Sequence, residues 1–377
     1  MIKLEKKVHF MVQNFSELKK IIEINSYTKN KEGVDKNGEQ FIAWLEELGL
    51  KTTIYKREKI GNHLHFKSNS KDGKKMLLLG HLDTVFPPGT FEEFKEDKEW
   101  IYGPGVCDMK GGNYVALLAL RKLYKEFGKI ENIDFLLVSD EETGSDDSKY
   151  LSSSLAKNYD YCLVFEAAGE NLEVVTARKG VGTFFIEIEG KAAHAGNNYI
   201  HGIDANLEAS YKLQELVKLT NLKEQITVNV GKIEGGIGAN TISPYAKLTF
   251  EIRYINTKQR DYLLKEIDRI VNTSYVKGSK AKLSGGIQRD VMQESSEQKE
   301  FIKRIEAVSK EPIKTEKRGG VSDANIVSSA GVITLDGFGP YGDGDHTVNE
   351  RALKSSFNKR VDLVSKILSA HMQGAFN

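Results

Sequence analysis

Cysteine is scarce in this sequence: its 377 residues contain only Cys107 and Cys162, which do not form a CxxC pair. So few cysteines exclude a disulfide framework. An excess of one charge is also missing, since 54 Lys and Arg face 53 Asp and Glu, a net charge of +1. This balance gives no electrostatic case for a nucleic-acid partner or an anionic membrane surface.

Long apolar runs are absent as well. Runs such as Tyr114–Leu120 and Phe135–Val138 are far shorter than the ~20 residues of a membrane-spanning helix. The opening residues, MIKLEKKVHFMVQNF, lack the apolar stretch of a signal peptide. With so little cysteine, we expect a cytoplasmic protein that is not membrane-bound.

Short apolar runs alternate with amphipathic stretches over the first 178 residues. Buried strands are predicted at Met76–Leu79, Ile133–Ser139 and Tyr161–Phe165, and helices at Lys3–Asn25, Glu39–Leu48, Met109–Phe127 and Arg351–His371. Alternating strands and helices predict an α/β fold with a mainly parallel sheet covered by helices.

Residues 179–288 show a different order of elements. Strands are predicted at Val181–Glu189, Ile226–Lys232, Ala246–Ile255 and Lys280–Ser284, and helices at Asp204–Leu219 and Thr257–Ser274. This β-α-β-β-α-β order is typical of a ferredoxin-like domain. We therefore predict one discontinuous α/β domain, residues 1–178 and 289–377, interrupted by a small α+β domain.

Candidate functional residues follow the predicted strands. His81 and Asp83 come just after Met76–Leu79, where open α/β sheets place ligands, and this spacing suits either a metal ligand with its orienting carboxylate or a buried His–Asp pair. Glu141 and Glu142 follow the next strand. Adjacent carboxylates there are either a solvated acidic turn or a metal ligand beside a general base.

Three further residues lie at strand ends or in glycine-rich loops. Asp108 in Gly103–Gly112 is either the N-cap of the following helix or a ligand, and the loop matches no phosphate-binding motif. Glu166 ends a third apolar strand. His346 in Gly339–Thr347 is, taken alone, typical of a surface histidine. Together with His81 and Glu142, however, these side chains suit two Zn²⁺-like ions sharing one carboxylate.

The motifs resemble those of the co-catalytic zinc metallopeptidases, a family that includes glutamate carboxypeptidase (carboxypeptidase G), acetylornithine deacetylase and succinyl-diaminopimelate desuccinylase. The glutamate carboxypeptidase branch is the most similar. The matching stretches are GHLDTVFP, YGPGVCDMKGG, SDEETGS, VFEAA, GKAAHAG, GANTISP, EIRY, RGGVSDA and GPYGDGDH. They run in the family's order from about residue 76 to 346 and so cover most of the chain.

The resemblance implies a dizinc hydrolase, with Co²⁺ or Mn²⁺ as alternative metals. His81 and Glu166 would hold one ion, Glu142 and His346 the other, and Asp108 would bridge them.

The resemblance also assigns roles beside the metals. Asp83 would orient His81. Glu141 would be the general base that takes a proton from the metal-bridging water. The family pattern further implies a cis peptide bond between Asp108 and Met109.

The inserted segment resembles the family's lid and dimerisation domain, which implies a homodimer. His194 would reach the partner subunit's site and stabilise the oxyanion. Asn240 and Arg253 would bind the substrate carboxylate, and Gly320 and Ser322 would line the pocket. Without the resemblance, Asn240 and Arg253 would be interpreted as structural residues.

The loop Ala167–Glu173 departs from the glutamate carboxypeptidase branch. It is acidic, whereas that branch offers the substrate a lysine there. A preference for C-terminal glutamate therefore does not follow from the resemblance. Arg178, Lys179 and Arg289 are candidate substitutes for the lysine.

The function expected from these features is release of a free amino acid from a small peptide by carboxypeptidase action. One alternative is an N-acyl-amino-acid deacylase, such as a deacetylase or desuccinylase. Another is a non-catalytic, metal-bound scaffold, against which the complete ligand set and Glu141 argue.

Overall fold

The computed structural model describes residues 14–377, which form two compact units. Unit 1 comprises the described residues up to Thr176 together with Glu294–Lys317 and Ser322–Asn377, and unit 2 comprises Ala177–Gln293 and Arg318–Val321. The interpretation of these parts as a catalytic domain and a lid remains a prediction.

The described residues contain sixteen strands and nine α-helices. The strands are β1 Lys51–Tyr55, β2 His63–Lys67, β3 Met76–His81, β4 Lys95–Glu96, β5 Trp100–Tyr102, β6 Ile133–Val138, β7 Tyr161–Val164, β8 Val174–Arg178, β9 Gly180–Glu189, β10 Thr227–Gly235, β11 Tyr245–Tyr254, β12 Lys280–Arg289, β13 Thr315–Arg318, β14 Ile333–Leu335, β15 Gly342–Asp343 and β16 Arg351–Leu353. The helices are α1 Ser16–Ile22, α2 Lys31–Glu46, α3 Lys110–Phe127, α4 Ser148–Ala156, α5 Ala205–Lys218, α6 Thr257–Asn272, α7 Ser296–Ser309, α8 Asp323–Ser329 and α9 Lys354–Met372.

The main sheet of unit 1 has the order β1-β2-β6-β3-β7-β14. Strands β6, β3, β7 and β14 are parallel to one another, and β2 and β1 extend the sheet by antiparallel pairing. Every residue of β3 is buried, as expected of a strand covered on both faces. The predicted mainly parallel, helix-covered sheet is confirmed.

One apolar cluster fills unit 1. It draws on the buried faces of α1, α2, α3, α7 and α9 and on the sheet residues that they cover. The predicted helix Lys3–Asn25 is represented by α1, and its part before residue 14 lies outside the described residues. No helix among residues 14–377 is long and apolar enough to cross a bilayer.

Two predicted helices begin at different residues. Helix α2 starts at Lys31, eight residues before the predicted Glu39, because the Asn30 side chain accepts the Gly33 N–H and caps it. Helix α9 starts at Lys354, because Arg351–Leu353 pairs with β5 as a strand instead of continuing the helix.

Unit 2 has the predicted ferredoxin-like topology. Its sheet has the order β10-β11-β9-β12 with antiparallel neighbours throughout. Asp204 and Asn256 cap α5 and α6 by accepting backbone N–H groups. The apolar sides of both helices join the sheet in a second core, separate from that of unit 1.

Candidate metal centre and active site

Three neighbouring parallel strands deliver candidate ligands to one edge of the main sheet. His81 is the last residue of β3, and it pairs with Val138, the last residue of β6. Leu79 pairs with Val164 of β7, so Glu166 lies level with His81. Because parallel strands end at the same edge, residues far apart in sequence meet there.

Asp108 approaches this edge from a glycine-rich loop. The bond between Asp108 and Met109 is cis, as the resemblance predicted. The interpretation of Asp108 as a helix N-cap is wrong, because α3 begins at Lys110, its N-cap is Met109, and no side chain caps it. The Asp108 carboxylate is instead directed towards two histidines.

Each carboxylate oxygen of Asp108 faces one imidazole. Its Oδ1 lies 3.1 Å from Nε2 of His81, and its Oδ2 lies 3.2 Å from Nε2 of His346. Each histidine also lies near one glutamate: Nε2 of His346 is 3.2 Å from Oε2 of Glu142, and Nε2 of His81 is 3.8 Å from Oε1 of Glu166. His346 is therefore part of the cluster, although its side chain is 58% exposed.

Two oxygens of Asp83 lie close to the His81 ring. Its Nδ1 lies 3.0 Å from the main-chain oxygen of Asp83 and 3.3 Å from Oδ1 of the same residue. The hydrogen bond is formed with the main-chain oxygen, and it directs Nε2 towards Asp108. Oδ2 of Asp83 accepts hydrogen bonds from Oγ1 of Thr28 at 2.7 Å and from N of Glu142 at 3.2 Å, so one buried carboxylate connects two candidate ligands.

Glu141 begins a short 3-10 turn, Glu141–Thr143, that ends at Gly144. Glu141 is 8% exposed, and the Glu142 side chain is 3% exposed. The interpretation as a solvated acidic turn is therefore wrong. Burial and the charge of Asp108 raise the pKa of Glu142 and Glu166, and the negative charge of Glu141, the chain neighbour of Glu142, adds to this effect.

The buried carboxylates of the cluster have strongly shifted pKa values. Burial, reinforced by the charge of Asp108, raises the pKa of Glu142 and Glu166 well above its ordinary value. Although burial acts to raise it, the pKa of Asp108 is held far below its ordinary value by hydrogen bonds from His346 and His81. A histidine on each side of Asp108 thus favours the charged form of its carboxylate.

The pKa values of the histidines shift in the complementary direction. Hydrogen bonds to Asp108 and Glu142 raise the pKa of His346 to about 11. Although burial acts to lower the pKa of His81, hydrogen bonds to Asp108 and Asp83 raise it well above the ordinary value.

This donor set fits divalent metal ions. Ligand atoms of His81, Asp108 and Glu142 all lie within 4.8 Å of one another. Imidazole nitrogens and carboxylate oxygens are ligands that Zn²⁺ accepts, and a metal binds the deprotonated forms of these groups. The cluster is therefore a candidate metal site.

Residues 77–370 match the sequence profile of Peptidase family M20/M25/M40. The chain belongs to this family. Carboxypeptidase G2 of Pseudomonas sp. (strain RS-16) is 30% identical over 343 residues, which cover 88% of this chain and 82% of that relative. Acetylornithine deacetylase of Edwardsiella ictaluri (strain 93-146) is 28% identical over 255 residues, 62% of this chain and 65% of that relative.

A solved structure supports the same fold for this member of the M20/M25/M40 family. A tripeptidase from Staphylococcus aureus superposes with a TM-score of 0.80 at 24% identity, covering 95% of this chain and 98% of that one. Membership of the family, with peptidase and deacetylase relatives, makes the chain a hydrolase acting on amide bonds.

Unit 2 brings Asn240, a predicted substrate residue, close to His194. Nδ1 of His194 accepts the N–H groups of Gly196 and Asn197 at 3.1 and 3.2 Å. A neutral ring must therefore carry its proton on Nε2. The main-chain oxygen of Asn240 accepts the Ala195 N–H at 2.9 Å, so His194 and Asn240 are neighbours within unit 2.

Arg253 and Gly320 also lie in unit 2. Nε of Arg253 donates to Oε1 of Glu251 at 2.7 Å, and its Nη1 donates to the main-chain oxygen of Gly319 at 3.0 Å. The adjacent Gly320 oxygen accepts from Nη1 of Arg178 at 3.0 Å. Two arginines therefore hold the segment Arg318–Val321.

Ser322 belongs to unit 1, where it is buried at the start of α8. Its hydroxyl donates to Oδ2 of Asp336 at 2.8 Å and accepts the Ala324 N–H, and Asn325 completes a capping box. These contacts cap the N-terminus of α8, which is a structural role for Ser322. Its position in a substrate pocket remains a prediction.

Glu350 is a further carboxylate next to the cluster, and no sequence motif marks it. Glu350 is 1% exposed and lies four residues after His346 in the same loop. Its only sequence signal is that proximity, because an isolated glutamate before a helix is ordinary.

Proposed function

We propose that this chain is a dizinc carboxypeptidase, similar to glutamate carboxypeptidase, which releases a C-terminal amino acid from a small peptide. One observation carries the proposal: the two oxygens of Asp108 each face a different histidine, and each histidine has its own glutamate. His81 with Glu166 and His346 with Glu142 would form two metal sites that share Asp108. Cobalt or manganese is an alternative to zinc at such ligands.

The bound ions would polarise the scissile carbonyl and bring the pKa of water near neutrality. Glu141, buried beside the cluster, would accept the proton of the attacking water and pass it to the leaving nitrogen. Its position on a short turn after a buried strand would keep its carboxylate fixed while the neighbouring Glu142 binds metal.

Unit 2 would supply the groups that bind substrate. Among the described residues, the contacts of Arg253 engage three of the guanidinium's five N–H groups, and we propose that the other two receive the substrate carboxylate together with Asn240. The Nε2 proton of His194 would donate to the oxyanion that forms at the carbonyl.

We also propose that residues 179–288 form a homodimer. Ten of the thirteen large hydrophobic side chains that are exposed in the described residues lie in this segment, Ile200 and Ile237 among the most exposed. Exposed apolar surface concentrated in one region is typical of an interface.

A cytoplasmic location also remains a prediction of the sequence.

The His194→Ala change tests both the dimer and the role of His194. It should strongly lower kcat without reducing zinc content, because His194 is not a proposed ligand. Co-expression of this variant with Glu141→Gln should then restore up to about a quarter of the wild-type activity, since half of randomly formed two-fold dimers contain one intact site. Activity no higher than that of either variant alone would contradict action across the dimer.

A second candidate function is N-acyl-amino-acid deacylation. Two observations favour it: the acetylornithine deacetylase relative and the acidic loop Ala167–Glu173. Negative charge there would disfavour a substrate with an additional carboxylate, as C-terminal glutamate has.

A substrate panel separates the two candidates. Dipeptides ending in Glu, Asp, Gly, Leu or Lys and the corresponding N-acetyl and N-succinyl amino acids would be assayed with and without Zn²⁺ or Co²⁺. We expect metal-dependent release of one amino acid class from dipeptides. Cleavage of only the acylated amino acids would establish the deacylase instead, and no cleavage by protein that contains two metals would contradict the carboxypeptidase.

A further inference from the structure

Glu350 is buried, and its carboxylate faces the main chain that leads to Asp108. Oε1 of Glu350 accepts the N–H groups of Cys107 and Asp108 at 2.9 and 3.0 Å, and Oε2 accepts the Gly105 N–H at 2.9 Å. Its main-chain oxygen accepts the Gly103 N–H at 3.3 Å. Four hydrogen bonds thus connect one residue to four positions within the six-residue stretch Gly103–Asp108.

The loop that carries His346 is therefore attached to the loop that carries Asp108. A second observation shows how closely they pack: a Cβ added at Gly342 would lie 2.7 Å from Sγ of Cys107. Since Glu350 and Gly342 flank His346 in one loop, His346 and Asp108 are held at a common spacing.

We propose that Glu350 is a positioning residue whose carboxylate sets the spacing of Asp108 and His346 and thereby the metal affinity of the site; this rests on the proposed function, in which both residues are ligands. Three backbone donors converge on two acceptor oxygens. Removing one oxygen would leave a buried N–H without its acceptor, so the Asp108 loop would move to find another. A ligand that moves binds its metal less tightly.

Glu350→Gln is the direct test, because it keeps the size of the side chain. Its amide offers one acceptor oxygen, and its NH₂ group would face the Gly105 N–H, donor against donor. The metal-free protein would be titrated with Zn²⁺ in competition with a chromophoric chelator, and kcat and KM would be measured over a range of zinc concentrations.

We expect zinc binding at one or both sites to weaken by about 10–100-fold, the usual effect of losing a group that orients a ligand. The value of kcat should fall at limiting zinc and recover in excess zinc, while KM stays nearly unchanged. A purely structural role would lower thermal stability without this dependence on zinc.

Glu208→Gln is the matched control. Glu208 in unit 2 is also buried, and its carboxylate also accepts two backbone N–H groups, from Tyr275 and Val276. Its loss should destabilise the fold without changing zinc affinity.

Wild-type zinc affinity in Glu350→Gln would overturn the proposal. If that variant does not fold, Glu350→Asp serves instead: it keeps both oxygens but is one methylene too short to reach all three donors, so it should also weaken zinc binding, and unchanged affinity would equally overturn the proposal. Failure of the wild-type protein itself to bind zinc would instead contradict the proposed function.

Discussion

Replacing Glu141 with glutamine should lower kcat by about 10²–10⁴-fold, the usual contribution of a positioned general base. Glutamine has nearly the same shape, so the turn after β6 should persist, but its amide cannot take up the proton of the attacking water. Zinc content should stay at the wild-type level, because Glu141 is not among the proposed ligands. Steady-state kinetics and metal analysis of the same preparation would measure both.

Glu142→Gln is the control within the same turn. Its carboxylate lies 3.2 Å from Nε2 of His346, so this change should lower metal content as well as activity. If Glu141→Gln retained near-normal turnover, Glu141 would not be the base. If it lost metal like Glu142→Gln, its role would be that of a ligand.

Removing the metal by chelation should lower turnover on the order of 10³-fold, because a bound ion contributes several kcal/mol of transition-state stabilisation. Adding back Zn²⁺ should restore the activity. Full turnover in protein shown by metal analysis to be metal-free would rule out the proposed mechanism.

The stability of the metal-free protein should depend on pH in a defined direction. Glu142, Glu166, His81 and His346 all have raised pKa values in the folded chain. A group with a raised pKa binds more protons when folded, so its stabilising contribution is present below its unfolded pKa and is lost as the pH rises towards the folded value. The pH range over which this stabilisation is lost therefore begins near pH 4.5 for the glutamates and near pH 6.5 for the histidines. For His346 it extends to about pH 11.

We accordingly expect the Tm of the metal-free protein to fall from about pH 5 to 9. The buried groups should dominate, since solvent screens the half-exposed His346. Asp108, whose pKa is lowered, acts in the opposite sense only below its ordinary pKa. Metal ions replace the protons, so the increase in Tm caused by zinc should grow with pH. Scanning calorimetry with and without zinc would measure this, and a constant or rising Tm of the metal-free protein would contradict it.

The sequence was informative where local pattern and topology agree. The apolar runs before His81, Glu141 and Glu166 predicted three strands, and parallel strands bring their ends to one edge whatever lies between them in sequence. His346 has no such pattern, because it is held by a glycine-rich loop; its combination with the other candidate ligands and the resemblance to known metallopeptidases pointed to it.

Elements that depend on contacts between distant parts of the chain are not predicted by the local sequence. The first turns of α2 are polar and contain Gly33, so the helical spacing of apolar residues is not visible there. A Cβ on Gly33 would lie 1.8 Å from the main-chain oxygen of Asn25, so the glycine is explained by packing that the local sequence does not show. Strand β16 looked helical because its partner β5 lies about 250 residues earlier. Glu350 has no local signal for the same reason: the three backbone N–H groups that donate to its carboxylate belong to another loop.

The interrupted order of unit 1 determines when the hydrolase becomes complete during synthesis. Unit 2 builds its core from the continuous stretch Ala177–Gln293, whereas the core of unit 1 includes α9 side chains such as Phe357 and Val361. Because domains fold as units as the chain leaves the ribosome, unit 2 has all of its core residues while unit 1 still lacks α9 and His346. The nascent chain therefore cannot bring together its full set of proposed ligands until His346 and α9 have left the ribosome.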